Sequence, residues 1–130
     1  MGPYQNLTVW QKAMVLAKDV YTVTANYPKS ETYGLVSQMR RCVVSIPSNI
    51  AEGYGRGTNK DLLHFLYTSL GSSNELETQL LLSREFTYLS VEDASMLLHL
   101  NEQVNKMLSS LIYKRTQNPA DGNFTSKPET

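Results

Sequence analysis

Residues 35–57 read LVSQMRRCVVSIPSNIAEGYGRG, and their spacing decides the fold. Leu35, Met39, Cys42, Ile46 and Ile50 recur at three- and four-residue steps, the period of one helix face. Val36, Val43, Val44 and Ala51 widen the stripe, so the helix is apolar around much of its circumference. Two readings of that surplus stand side by side. The segment is the central helix of a small bundle, or part of its apolar face is a subunit interface. The pattern starts near Ser30 or Glu31 and stops at the glycines Gly53 and Gly55. Pro47 falls inside it, removes one backbone N–H and presses on the carbonyl of Val43, which predicts a kink. Ser45, Ser48 and Asn49 are spaced to satisfy the freed backbone groups. The same Ser45 and Pro47 argue against a strand over residues 42–50.

Working outward, Val9, Trp10, Ala13, Leu16, Ala17, Val20 and Thr24 form an amphipathic helix toward the N-terminus. Thr8 is its expected cap, and Asn26-Tyr27-Pro28 ends it. Beyond the glycine-rich loop, Thr58 is placed to cap a long third helix with Asp61 in its first turn. Leu62, Leu63, Phe65, Leu66, Leu70, Leu76, Leu80, Leu81 and Phe86 carry that helix. The small residues Ser69, Gly71, Ser72 and Ser73 in its middle predict a close approach by a neighbouring helix. Ser90, followed by Asp93, opens a fourth helix through Ala94, Leu97, Val104, Leu108, Leu111 and Ile112 to about Lys114. Short connections between four helices predict an all-α fold, an antiparallel up-and-down four-helix bundle over residues 7–115. Residues 1–6 read as an N-terminal lead. Residues 116–130, with two prolines, a glycine and no periodicity, read as a disordered tail.

Composition narrows the function classes. A length of 130 residues suits one domain, and 41% hydrophobic residues suffice for a core. Twelve basic and twelve acidic side chains give no net charge, so a globally basic nucleic-acid glove is excluded and only local patches remain. A single cysteine, Cys42, makes no internal disulfide and points to a reducing cytoplasm. No apolar run approaches the length of a membrane span, and MGPYQNLT does not read as a signal peptide. His64 and His99 lie in no metal-ligand spacing, and Cys42 sits among apolar neighbours as an inert thiol. Gly53–Gly57 lacks the lysine and the preceding strand of a phosphate loop. Neither enzyme chemistry nor a cofactor is expected.

Charge is unevenly placed. Arg40, Arg41, Arg56 and Lys60 face only Glu52 between residues 37 and 60. Residues 61–111 hold seven acids, among them Glu75 and Glu77, against Arg84 and Lys106. One account pairs Arg40 or Arg41 with Glu75 or Glu77, across the bundle or between subunits. Glu77 suits that account because it falls near the Leu70 and Leu81 side of its helix. The other makes Arg40, Arg41, Arg56 and Lys60 a phosphate-contacting patch. Both hold if one arginine pairs and another projects. Asn49 reads first as a structural polar group and second as a ligand contact.

The stretches YGLVSQMRRCVVSIPSNIAEGYGR (33–56) and FLYTSLGSSNELETQL (65–80), with Trp10–Ala13 and Tyr27-Pro28, carry a family resemblance. They resemble the bacterial four-helix bundle proteins first named for reading frames in intervening sequences of large-subunit (23S) ribosomal RNA genes. The likeness spans about residues 7–115. More distantly, the chain is similar to the accessory variability proteins of diversity-generating retroelements. The resemblance implies a four-helix bundle assembled as a ring-shaped homopentamer. It also implies an association with RNA or DNA, or with a protein partner, in which Arg40 and Arg41 are the matching basic positions. It supplies no catalytic residue. Under it, Arg41, Glu52 and Glu77 read as interface pairs and the SIPSN segment as kink chemistry.

Overall fold

The computed structural model describes residues 3–117. Four helices account for most of them: α1 (Thr8–Thr24), α2 (Leu35–Tyr54), α3 (Asn59–Glu85) and α4 (Val91–Thr116). Each packs on two others, in the ring α1–α2–α3–α4–α1, with α1/α3 and α2/α4 on the diagonals. That is the packing pattern of an up-and-down bundle. Expected tail residues 118–130 lie outside the described residues. Of the rest of that tail, Thr116 closes α4 and Gln117 caps it.

The core is what the helix-period stripes dictate. Val9, Ala13, Leu16 and Val20 from α1 meet Met39, Val43, Ile46 and Ile50 from α2. Leu62, Leu66, Leu76 and Leu80 from α3, with Leu97, Val104 and Leu108 from α4, complete it. α2 buries nearly all of its apolar stripe within the chain; Val44 is left 42% exposed. The helix runs through Pro47 as one element, and side chains serve the carbonyls around it. Ser45 Oγ donates to the Cys42 carbonyl (2.6 Å), Asn49 Nδ2 to that of Ser45 (2.7 Å), and Ser69 Oγ to that of Ile46 (2.9 Å).

The caps divide. Thr58 and Ser90 accept the backbone N–H of Asp61 (3.2 Å) and Asp93 (3.0 Å), as their spacing predicts. Thr8 does not cap α1: Leu7 holds that position without a side-chain bond, because a 3₁₀ turn over Pro3–Asn6 leads straight into the helix. α2 also starts later than its periodicity suggests. Lys29–Glu31 form a separate 3₁₀ turn, and Gly34, at φ −109° and ψ −109°, resets the chain before Leu35.

α3 ends in a Schellman motif. Tyr88 N–H reaches the Ser83 carbonyl (2.9 Å) and Thr87 N–H that of Arg84 (3.0 Å). The left-handed position, usually glycine, is held by Thr87 at φ +61°. Tyr88 then latches the two connections at this end, donating to Glu31 Oε2 at 2.8 Å and packing its ring at a tilt against Tyr27, centroids 5.3 Å apart.

The small residues of α3 divide: Ser69 and Ser72 meet α2 closely, Ser69 Oγ on the Ile46 carbonyl (2.9 Å) and the Ser72 carbonyl against Cys42 Sγ (3.0 Å), whereas Gly71 does not take part. Gly71 is exposed, and a Cβ there would meet nothing within 4 Å. A further close approach lies at Gly53 of α2, where a Cβ would lie 3.0 Å from Phe65 Cβ and 3.1 Å from Leu62 Cδ1. Toward α4 the work falls to Ser73, which donates to Asn101 Oδ1 (2.9 Å) while Asn101 Nδ2 donates to the Ser73 carbonyl (2.9 Å).

Candidate functional site

Arg40 and Arg41 are adjacent in sequence but differ in setting, because one residue rotates about 100° around a helix. Arg40 is half-buried and turned toward the C-terminal turn of α1. Its Nε donates to Thr24 Oγ1 (3.0 Å), its Nη2 to the Tyr21 carbonyl (3.2 Å), and its guanidinium lies 4.5 Å from the Tyr21 ring centroid. A cation on the last carbonyls of a helix is favourably placed. Arg41 is exposed; its Nη2 donates to Ser37 Oγ (3.3 Å).

Arg41 borders two surface features. One is a narrow cleft of about 200 Å³ between α2 and α3, lined by Gln38, Arg41, Cys42, Ser45, Ser72 and Glu75. The structure thus brings Arg41 and Glu75 to one cleft; Glu75 also receives Gln79 Nε2 at 3.4 Å. Inside the cleft, Cys42 Sγ donates to the Ser72 carbonyl (3.0 Å), and the Ser45 and Ser72 hydroxyls are hydrogen-bonded to each other (2.6 Å). Burial first, then the Glu75 carboxylate, pushes the Cys42 thiol up to about 12, so the group stays protonated. The other feature is an open groove of about 430 Å³ that holds Tyr21, Tyr33, Arg40 and Arg41. Tyr33 there is 96% exposed. Neither tyrosine carries a periodicity or motif signal that marks it as other than core.

Arg56 and Lys60 lie past the far end of α2, roughly 20 Å along the axis from Arg41 at 1.5 Å per residue. The four cations therefore form two groups. Arg56 pairs with Glu52 (3.0 Å) and sits 5.1 Å from the Phe65 ring, on an exposed surface that keeps the pair weak. Lys60 is exposed beside Asn59, whose Nδ2 donates to the Arg115 carbonyl (3.2 Å) and ties the start of α3 to the last turn of α4. That bond brings Lys114 to the same end, a neighbour that sequence distance conceals. Asn49 is engaged with the Ser45 carbonyl. Glu77 is exposed, not shielded on the Leu70 and Leu81 side.

His64 and His99 are exposed, His64 edge-on to Phe65 and His99 beside Gln103. Among the described residues, no group of three or more His, Cys, Asp or Glu is placed to hold a metal ion. Among the same residues, no helix is long and apolar enough to cross a membrane.

Fold and surface thus define a small all-helical bundle in which, among the described residues, the charged side chains other than the buried Arg115 sit on helix faces and loops. The model of the 23S rRNA-intervening sequence protein family matches residues 5–110, and the chain belongs to that family. It is similar to a solved structure, a protein of unknown function from the S23 ribosomal protein family of Bacteroides thetaiotaomicron. The two share 25% identity and a TM-score of 0.74, covering 81% of this chain and 98% of that one. No curated protein matches the chain.

Proposed function

We propose that this protein is a non-enzymatic, cytoplasmic homo-oligomer that contacts nucleic acid, either ribosomal or other structured RNA or single-stranded DNA. The contact runs through Arg41 on α2 and Arg56 and Lys60 in and after the following loop, with Arg40 holding the surface in shape. The observation that carries this reading is that all three contact residues are exposed, Arg41 on α2, Arg56 in the loop after it and Lys60 in the first turn of α3, with Glu75, Glu52 and Asp61 as their respective acidic neighbours. Family membership supports it. Phosphate contacts made by such side chains release counterions, so affinity falls steeply with salt.

The test is a fluorescence-anisotropy titration with a structured RNA and a single-stranded DNA at low and physiological salt. Arg41→Glu, Arg56→Glu and Lys60→Glu should each weaken binding, and each flattens the plot of log affinity against log salt by about 0.7–0.9. Unchanged affinity in all three folded variants sinks the proposal.

A second reading has its own observation. Tyr4, Trp10, Met14, Val44 and Pro47 line an uncharged groove of about 350 Å³ on the outer α1/α2 face. In that reading the chain is a protein-interaction scaffold. This face then carries self-association, as a pentamer by family likeness, and Arg41, Asn49, Glu52, Glu75 and Glu77 serve the stability of bundle and assembly. A bend at Pro47 would set the tilt of that face. Light scattering that finds a monomer removes the assembly, and a straight α2 axis in a crystal removes the bend.

A further inference from the structure

Tyr33 precedes α2 with its ring almost wholly in water, at 96% exposure, and Tyr21 across the groove is 43% exposed. Aromatic rings bury large areas where they can, so two open tyrosines around one groove call for an occupant. Every charged side chain lining this groove is an arginine. Arg40 already holds its guanidinium over the Tyr21 ring, 4.5 Å from the centroid, a cation–π contact on that face. The nearby Glu31 carboxylate is turned away, receiving Tyr88 Oη (2.8 Å) and the Leu35 N–H (3.3 Å).

We infer that this groove is a stacking platform for unpaired nucleotides, with a base on Tyr33, a phosphate on Arg41, and the Arg40–Tyr21 stack as its fixed wall. The inference rests on the nucleic-acid reading above and names single strands as its ligand class. Phosphate contacts alone do not distinguish strand from duplex; an exposed ring does, because a duplex keeps its base faces covered. A protein partner fits less well. Aromatic anchors of protein interfaces fill enclosed apolar pockets, whereas this groove is open and edged by Thr32, Ser37 and two arginines.

The full chain is titrated with fluorescein-labelled oligouridylate, the matching oligothymidylate, and a blunt RNA duplex, at low and physiological salt. Tyr33→Ala should weaken single-strand binding about tenfold, while Tyr33→Phe, which keeps the ring, stays within about twofold of wild type. Duplex affinity should not respond to either. Preference for the ribo-oligomer or its absence tells RNA from DNA, and either result upholds the platform. Single-strand binding that is salt-dependent, falls in Arg56→Glu and is unmoved in Tyr33→Ala overturns the platform while the nucleic-acid reading survives. So does an equal loss on strand and duplex. Wild-type protein that binds none of the three at low salt overturns both. At its exposure Tyr33 contributes little to packing, so a loss in Tyr33→Ala is not a folding defect.

Discussion

α2 and α3 lie side by side along the bundle and are built on different terms. α2 buries Val36, Met39, Cys42, Val43, Ile46 and Ile50, an almost unbroken apolar stripe. α3 buries Leu62, Leu66, Leu76 and Leu80, but among and beyond them it also buries Ser69, Ser73, Gln79 and Ser83. Two of those groups reach across, Ser69 to α2 and Ser73 to α4, while Ser83 bonds the Gln79 carbonyl of its own helix (2.8 Å) beside Met39 Sδ. Apolar area supplies cohesion without direction, whereas the hydroxyls and amides specify which residue meets which. One helix supplies the adhesion of the core and the other its register.

Substitutions on each side can break or sharpen that contrast. The largest loss belongs to Ile46→Ala, fully buried on α2, which should cost about 2–5 kcal/mol in a denaturant titration. Asn101→Ala removes both bonds to Ser73 and should cost about 1–3 kcal/mol. If the polar seam sets register, that variant also broadens the NMR resonances of α4, which Ile46→Ala does not. Gly53→Ala forces a Cβ against Phe65 and Leu62 and should cost about 1–3 kcal/mol.

Two changes run the other way. Gly71→Ala and Thr87→Gly should each raise stability by about 1 kcal/mol, the first by favouring helix where there is room, the second by relieving a left-handed threonine. The smallest effect is in alkali. A thiol held up to about 12 when folded and near its ordinary 9 when unfolded keeps its proton only in the native state. Its contribution is therefore complete below pH 9 and is lost as pH rises toward 12. Urea midpoints measured from pH 8 upward should fall less steeply for Cys42→Ala than for wild type.

The same contrast explains what was legible in the residues. The stripes of α1 and α2 are written in apolar side chains, so period alone finds them. Thr58 and Ser90 stand out because each has an aspartate three positions on, the spacing a cap requires. Thr8 misleads because its residue type fits a cap while the preceding turn already delivers the chain to the helix. Ser69 and Ser73 are marked in sequence only as small residues suited to a close helix approach, and Ser83 carries no mark at all; the partner helices reveal all three as interior. In the candidate site, a basic segment around Arg40 and Arg41 is visible, but the division of labour between them depends on a neighbour on α1. Tyr33 is hidden for the opposite reason: an aromatic beside an apolar helix reads as core until its exposure is seen.

One consequence follows from Trp10. It is the chain's single tryptophan, it meets Tyr4 edge-on at 5.6 Å, and both rings border the uncharged outer groove. The protein therefore carries its own optical gauge at that uncharged groove. Indole emission that shifts red on dilution, with helical circular dichroism unchanged, reports the uncovering of that face and no other, without a label.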